Sequence, residues 1–208
     1  MAAILIRRFT ASITYHDALH SFRAGRGTGT ATLEAKLLQQ LATLREEVLN
    51  LIFLDLHKAY DTLDRSRCLE ILEDYDVGPK SRRILTNYWR RLTMVVRAGG
   101  YYGTAFGGER GVTQGDPLSP TIFNVVVNAV VRHWVNGIVK GADSRGETGR
   151  EGQHQATLFY ADNGMVVSSN PAWLQGAFTS MLGLFDRVVL WKNVGKTVSM
   201  VCHPCQAG

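Results

Sequence analysis

The stretch Leu158-Phe159-Tyr160-Ala161-Asp162-Asn163-Gly164-Met165-Val166-Val167 decides the fold of this chain. Two short apolar runs flank the Asn-Gly pair, which is the strongest short-range signal of a β-hairpin because both residues tolerate positive φ. Asp162 lies at the tip of this predicted hairpin, where the first strand ends. A carboxylate there loses hydration unless a Lys, an Arg or a metal ion meets it. The alternative interpretation is an ordinary polar turn residue.

The composition suits one globular domain, or one and a half, with a hydrophobic core: the chain has 208 residues, of which 45% are hydrophobic. Its net charge of +5 favours a polyanionic partner. Three cysteines argue against a disulfide framework and for a reducing compartment. The apolar run at residues 1–6 is too short to span a membrane and follows no basic region. We therefore expect an intracellular, non-secreted protein, nuclear or cytoplasmic, with no membrane partner.

Hydrophobic periodicity and turn signals predict an α+β fold, in which an antiparallel sheet is backed by helices. A strand at 51–54 ends in Asp55, and a hairpin at 158–167 carries Asp162. A second hairpin is predicted across Gly99-Gly100, and 140–153 reads as a Gly-rich surface loop. A further strand is predicted at 197–201, and helices are predicted at 31–49, about 65–75 with Asp64 as N-cap, 80–91, 118–135 and about 171–190.

Asp55 and Asp162 each end a buried strand, so we expect them at neighbouring positions on one sheet edge. Two carboxylates there form a hard-oxygen site that suits Mg²⁺, which shares its coordination shell with substrate phosphates. Two such ions can hold the attacking and leaving oxygens of a phosphoryl transfer. The residues alone leave a polymerase, a nuclease and an acidic surface patch open.

Five segments in order resemble the motifs of reverse transcriptases of the non-LTR retroelement and group II intron type. They cover residues 21–200 and are SFRAGRGT (21–28), FLDLHKAYD (53–61), QGDPLSP (114–120), YADN (160–163) and NVGKTVSM (193–200). The resemblance implies an RNA-directed DNA polymerase with a ferredoxin-like palm, part of the fingers and no thumb. It divides the chain into partial fingers (1–50), palm with the first motif (51–76), a fingers–palm connection (77–113), palm (114–201) and a truncated tail (202–208).

The resemblance also implies roles for individual residues. The catalytic residues would be Asp55, Asp162 and Lys196, with Lys196 protonating the departing pyrophosphate; its alternative is a solvated lysine. The metal ligands would be Asp55, the backbone carbonyl of Leu56, Asp162 and Asn163.

Nucleotide and template binding are implied for a second set of residues. Tyr60 would lie under the incoming sugar and leave no room for a 2′-hydroxyl, while Gln114 and Gly115 would shape the nucleotide pocket. Arg23 and Arg26 would contact template phosphates or support the fingers. The implied cofactor is Mg²⁺, with Mn²⁺ as the alternative, and the implied partners are an RNA template, a DNA primer and dNTPs.

The sequence departs from the family pattern at Asn163, where the third palm motif normally has a second aspartate. The substitution keeps an oxygen ligand but removes one negative charge, so we expect reduced activity or a changed metal preference. The principal alternative is a decayed or truncated remnant that at most binds nucleic acid. A metal-dependent nuclease and a template-directed RNA polymerase are further alternatives, and Tyr60 argues against the latter. The Cys202-x-x-Cys205 pair is at most half of a zinc site and is interpreted as two thiols.

Overall fold

The computed structural model describes residues 2–144 and 156–204. Within these ranges a four-stranded sheet forms the centre of the molecule. The helices are α1 (Ala2–Ser12), α2 (Thr28–Leu44), α3 (Ala59–Thr62), α4 (Arg65–Asp74), α5 (Pro79–Arg91), α6 (Ser119–Ser144) and α7 (Pro171–Arg187). The strands are β1 (Leu49–Asp55), β2 (Thr93–Met94), β3 (Arg97–Ala98), β4 (Tyr101–Tyr102), β5 (Phe106–Gly107), β6 (Ala156–Tyr160), β7 (Asn163–Ser168) and β8 (Val198–Cys202).

The central sheet has the strand order β6-β7-β1-β8, and every neighbouring pair is antiparallel. Helices separate β1 from β6, a tight turn joins β6 to β7, and α7 joins β7 to β8. This succession of strand, helix, two strands, helix and strand is the ferredoxin-like arrangement. The predicted α+β fold with a ferredoxin-like palm sheet is therefore confirmed.

The two faces of the sheet are covered unequally, because successive side chains of a strand point to opposite faces. Ile52 and Leu54 of β1 belong to the large core that α4, α6 and α7 complete. Leu49 and Leu51 belong to a small cluster on the other face, packed against α2. By the same alternation Asp55 shares the face of Leu49 and Leu51. The carboxylate therefore lies on the face opposite the large helical core.

The central hairpin forms as predicted, but its turn lies two residues earlier than the Asn-Gly signal indicated. Tyr160 pairs with Asn163, so the loop consists of Ala161 and Asp162, and Ala161 has a φ of 53°. Gly164 lies inside β7 because the ring of Phe159 covers it: an added Cβ would be 2.6 Å from Phe159 Cε1. The absence of a side chain at Gly164 allows the Phe159 ring to pack closely on β7. The prediction of an Asn-Gly turn is therefore wrong.

Several predicted boundaries change. The α2 helix covers Thr28–Leu44 rather than 31–49, and Leu49 already belongs to β1. The helix contacts the sheet through Ala35, Leu38 and Ala42, whereas Leu33 and Leu37 are 58% and 53% exposed. The α6 helix continues to Ser144, into the predicted 140–153 loop, whose remainder lies outside the described residues.

The remaining elements follow the predictions closely. Asp64 caps α4 as expected, its side chain accepting hydrogen bonds from the backbone N–H groups of Ser66 and Arg67. The hairpin across Gly99-Gly100 forms through β3 and β4, extended by β2 and β5. Cys202 ends β8, whereas Cys205 lies outside the described residues. None of the helices in the described ranges has the length and apolar character that crossing a membrane requires.

The segment between α1 and α2 is tied to the sheet beside the central hairpin. Phe159 N–H donates to the Ala18 carbonyl (2.7 Å), and His20 N–H donates to the Phe159 carbonyl (2.9 Å). Asn124 and Asn128 of α6 are buried, and their amide groups donate to the backbone carbonyls of Ser21 and Thr14. The Gly-rich segment that follows therefore starts from a fixed position next to β6.

Candidate active site

Asp55 and Asp162 are neighbours at one end of the sheet because β1 ends beside the turn from which the antiparallel strand β7 begins. Asp55 is the direct partner of Asn163, and the N–H of Leu56 donates to the carbonyl oxygen of Asp162 (3.1 Å). Asp55 ends β1, while Asp162 occupies the turn that leads into β7. The sequence prediction that these two carboxylates lie at neighbouring strand ends agrees with this geometry.

Lys196 is the cation beside this pair. Its Nζ lies 3.8 Å from Asp55 Oδ2, and the lysine side chain is 70% exposed whereas that of Asp55 is 18% exposed. The turn that carries it is fixed to β1, because Asn193 N–H donates to the Asp55 carbonyl (2.7 Å) and Lys196 N–H donates to the Asn193 carbonyl (3.2 Å). The backbone of this turn therefore places the exposed Lys196 side chain beside the Asp55 carboxylate.

The donor set at this edge fits a hard divalent cation. Directly opposed residues of an antiparallel pair project to the same face, so Asn163 shares the face of Asp55. Two carboxylates and an amide oxygen are ligands that Mg²⁺ accepts, with water and phosphate oxygens completing its shell. Within residues 2–144 and 156–204, no group of three or more His, Cys, Asp or Glu side chains could hold a metal ion.

Tyr60 is held next to the carboxylates by an aromatic partner. Its ring stacks on that of Phe123, with 4.8 Å between the ring centroids and an interplanar angle of 20°. Burial and the nearby charge of Asp162 raise the pKa of the Tyr60 phenol to about 12. The phenol therefore stays protonated, and hence uncharged, at neutral pH.

The loop between β5 and α6 contacts the backbone of Tyr60 directly. Val112 N–H donates to the Tyr60 carbonyl (2.7 Å), and Gly111 N–H donates to the Leu63 carbonyl (2.8 Å). Gly111 has a φ of +75°, and an added Cβ would lie 2.6 Å from the Asp61 carbonyl oxygen and 2.7 Å from that of Tyr60. Only glycine permits this approach, so Gly111 connects the loop to the Tyr60 segment.

The QGDPLSP segment forms a capped turn at the start of α6. Asp116 accepts hydrogen bonds from the Leu118 N–H (3.0 Å) and from the Tyr88 hydroxyl (2.6 Å). This hydrogen bond and burial raise the pKa of Tyr88 to about 12. Gln114 and Gly115 are exposed at the turn, and Gly115 has a φ of +90° with no atom within 4 Å of an added Cβ. The turn therefore presents an amide side chain and an open stretch of backbone to solvent.

Arg23 and Arg26 make internal contacts on the segment before α2. Arg23 Nη1 donates to the carbonyls of His16 (2.7 Å) and Leu19 (2.9 Å). Arg26 Nη2 donates to Asp17 Oδ1 (2.8 Å). In this structure both guanidinium groups stabilise the fold of the 16–26 segment, and direct contact with template phosphate stays a prediction.

Sequence reasoning missed three residues that shape the site: Phe123, Gly111 and Tyr88. Phe123 lies within an apolar helix, where nothing in the local pattern distinguishes it from core residues. Tyr88 meets Asp116 across 28 residues of chain, and no short-range signal reports such a contact. Gly111 had a usable signal, because an isolated glycine before a motif indicates a backbone approach that a side chain would block.

The family comparison matches residues 1–206 to the model described as Reverse transcriptase (RNA-dependent DNA polymerase). The chain is 26% identical over 201 residues to the Retrovirus-related Pol polyprotein from type-1 retrotransposable element R2 of Popillia japonica, covering 95% of this chain and 27% of that polyprotein. It is also 26% identical over 130 residues to the type-2 element R2DM polyprotein of Drosophila melanogaster, covering 62% of this chain and 12% of that polyprotein. The chain thus spans about a quarter or less of these relatives.

Solved structures agree on the fold. Apo telomerase from Candida tropicalis, truncated from its C-terminal domain, superposes with a TM-score of 0.70 at 16% identity, over 99% of this chain and 40% of that one. Telomerase from Candida albicans in complex with a fragment of telomeric RNA gives a TM-score of 0.69 at 15% identity, over 96% of this chain and 35% of that one. At these identities the likeness concerns the fold alone. With the family model matching nearly every residue, the chain belongs to the reverse transcriptase family.

Proposed function

We propose that this chain is the fingers and palm part of a retroelement reverse transcriptase that extends a DNA primer with dNTPs on an RNA template. The observation that carries the proposal is that Asp55 and Asp162 are neighbours, because the Leu56 N–H donates a hydrogen bond to the Asp162 carbonyl. Residues 1–50 would form part of the fingers, 51–76 and 114–201 the palm, 77–113 the connection between them, and 202–208 a tail. Family membership and the R2 relatives support the assignment.

The proposed ligands of Mg²⁺ or Mn²⁺ are Asp55, the Leu56 carbonyl, Asp162 and Asn163. When bound, the ions would supply Lewis acidity for phosphoryl transfer. The two aspartates would bring the negative charge that binds the ions, and Asn163 would contribute an oxygen without charge. Lys196, 3.8 Å from Asp55, would donate a proton to the departing pyrophosphate.

We further propose that Tyr60, Gln114 and Gly115 bind the incoming nucleotide. Tyr60 would exclude a 2′-hydroxyl through its ring, which Phe123 supports from behind. Gln114 would offer its amide, and Gly115 would let a substrate approach the backbone because no atom occupies the space beside it. The neutral phenol of Tyr60 avoids adding a further negative charge beside the carboxylates.

The nucleic-acid duplex is proposed to lie along the exposed cationic side chains of α5. The exposed cationic residues of this helix are Lys80, Arg83, Arg90 and Arg91. Arg82 instead forms an ion pair with Glu73, with 2.7 Å between Nη2 and Oε1. Such contacts would make binding weaken steeply with salt, because phosphate neutralisation releases counterions. Arg23 and Arg26 are proposed to support the fingers segment that the template follows.

The second candidate is a remnant that binds nucleic acid without polymerising, and Asn163 is the observation that favours it. One experiment separates the candidates: a 5′-labelled oligo(dT) primer on poly(rA) is incubated with the chain, with and without dTTP, and analysed for length and for binding. Lengthening that requires dTTP supports the polymerase. Binding without lengthening assigns the remnant, and shortening without dTTP assigns a nuclease.

A further inference from the structure

Both the backbone and the ring of Tyr60 are held in place by neighbouring residues. Its carbonyl accepts the Val112 N–H (2.7 Å), and Gly111 packs against the same stretch of backbone. Its ring lies flat on Phe123, whose side chain is completely buried. Backbone and ring are thus fixed by two neighbouring parts of one segment, 111–123.

Phe123 is itself placed by the turn that carries Gln114 and Gly115. The Asp116 side chain accepts the Leu118 N–H, and the Ser119 N–H donates to the Asp116 carbonyl (3.1 Å), so this turn caps α6. Phe123 lies just beyond the first turn of that helix. A displacement of the Gln114 turn would therefore move the surface on which Tyr60 rests.

We propose that Phe123 is a positioning residue that sets sugar selectivity by fixing the Tyr60 ring. This inference rests on the proposed function, in which Tyr60 excludes the 2′-hydroxyl. A ring that discriminates by shape must not rotate away when a 2′-hydroxyl presses on it. Phe123 supplies this resistance, because its fully buried ring is stacked directly on that of Tyr60.

Replacement of Phe123 by a smaller aliphatic side chain opens a cavity behind Tyr60, into which the ring can retreat. The aromatic contact is also lost, and such contacts stabilise beyond the area they bury. Both effects release Tyr60 without touching the carboxylates. Discrimination between dNTP and rNTP should fall while the metal ligands stay in place.

The test measures selectivity as a ratio, which a general loss of stability does not change. One assay measures single-nucleotide incorporation of dTTP and of UTP on poly(rA)/oligo(dT). A second assay measures the binding of each nucleotide to a complex with a dideoxy-terminated primer, in which no incorporation takes place. The variants are Phe123→Leu, Phe123→Met, Tyr60→Val and the control Phe185→Leu. Phe185 is a matched control because it is equally buried and pairs with another ring, that of Phe159, at 5.9 Å. Phe123→Met has about the same volume as Phe123→Leu, but its unbranched, flexible side chain adapts better to an irregular space, so it serves where the leucine variant does not fold.

We expect the Phe123 variants to lower the dNTP preference by about three- to tenfold, the scale of one aromatic contact. Tyr60→Val should lower it further, and Phe185→Leu should leave it unchanged. If Tyr60→Val relaxes selectivity but both Phe123 variants keep the wild-type ratio, the inference is wrong and the proposed function stands. An equal change in Phe185→Leu also overturns the inference. If Tyr60→Val has no effect, the proposed role of Tyr60 fails, and the inference fails with it.

Discussion

The ammonium nitrogen of Lys196 lies 3.8 Å from the Oδ2 oxygen of Asp55. The two residues are distant in the sequence. The turn at Asn193 brings them together, because the Asn193 N–H donates to the Asp55 carbonyl (2.7 Å). The lysine side chain is largely solvated, so the pair contributes little to folding stability. Its significance is positional: the carboxylate that ends β1 and the ammonium group of Lys196 are held by one backbone connection.

Lys196→Met should slow primer extension by about a hundredfold, the lower end of what general acid catalysis contributes. The midpoint of urea unfolding should not change, because the ion pair is exposed to solvent. Rapid-quench measurement of single dTTP addition gives the rate. Lys192→Met is the control, since Lys192 is an exposed lysine on the same connection. Equal rates for wild type and Lys196→Met would contradict the assigned role.

Asn163→Asp should lower the Mg²⁺ concentration at which extension is half-maximal. Asn163 opposes Asp55 in the strand register, so an added carboxylate would increase the negative charge that binds the ion. A magnesium titration of the extension rate measures this. Asn170→Asp is the matched control, because Asn170 caps α7 and Asp caps a helix equally well. An unchanged rate and Mg²⁺ requirement in Asn163→Asp would show that position 163 does not belong to the metal site.

Gly164→Ala should destabilise the chain by about 1–3 kcal/mol, the usual cost of overpacking. The new Cβ would lie 2.6 Å from the Phe159 ring, which is buried and cannot move aside. Gly183→Ala on α7 is the opposite case: no atom lies within 4 Å, and alanine in a helix interior should stabilise by up to about 1 kcal/mol. Urea unfolding of both variants measures the difference. A stable Gly164→Ala would contradict the close packing of β6 on β7.

The unfolding free energy should fall as the pH decreases below about 6.5, in part because of His20. This side chain is buried, with Nδ1 2.9 Å from Thr30 Oγ1 and Nε2 3.1 Å from Glu34 Oε2. Burial lowers the pKa of His20 below its ordinary value of 6.5 despite the opposing influence of Glu34, and burial likewise lowers the pKa of His16. The unfolded chain therefore binds more protons in acid, and stability present above pH 6.5 is lost as the pH falls toward the folded-state pKa.

His20→Gln should reduce this pH dependence, because it removes a buried side chain whose pKa burial lowers. Urea unfolding at pH values from 7.5 to 5 measures the slope for each protein. A slope in His20→Gln as steep as that of wild type would show that His20 does not titrate between the folded and unfolded states in this range.

The sequence was sufficient to predict the features that depend on short-range signals. The apolar run before Asp55 predicted β1, Asp64 predicted a helix start, and the hairpin around Asp162 was expected from its flanking strands. The neighbouring positions of Asp55 and Asp162 followed from the prediction that both residues lie at strand ends on one side of the sheet. These features depend on a few consecutive residues, so they can be recognised without knowing the rest of the fold.

The errors concern contacts between distant segments. Gly164 was interpreted as a turn residue because its φ tolerance is visible in the sequence, whereas the Phe159 ring above it is not. The side chains through which α2 packs, Ala35, Leu38 and Ala42, could not be selected from the sequence, because the sequence pattern does not position the strands that they contact. Phe123 under Tyr60 was missed for the same reason, since stacking depends on the tertiary arrangement of α6.

Primer extension on oligo(dT)-primed poly(rA) tests the central claim, that Asp55 and Asp162 form the site of RNA-directed DNA synthesis. Wild type, Asn163→Asp and Asp162→Asn are compared in Mg²⁺ and, separately, in Mn²⁺. We predict extension by the first two proteins and a loss of at least about a hundredfold in Asp162→Asn, because removing one charged ligand costs several kcal/mol of transition-state stabilisation. Extension by Asp162→Asn at the wild-type rate would contradict the account.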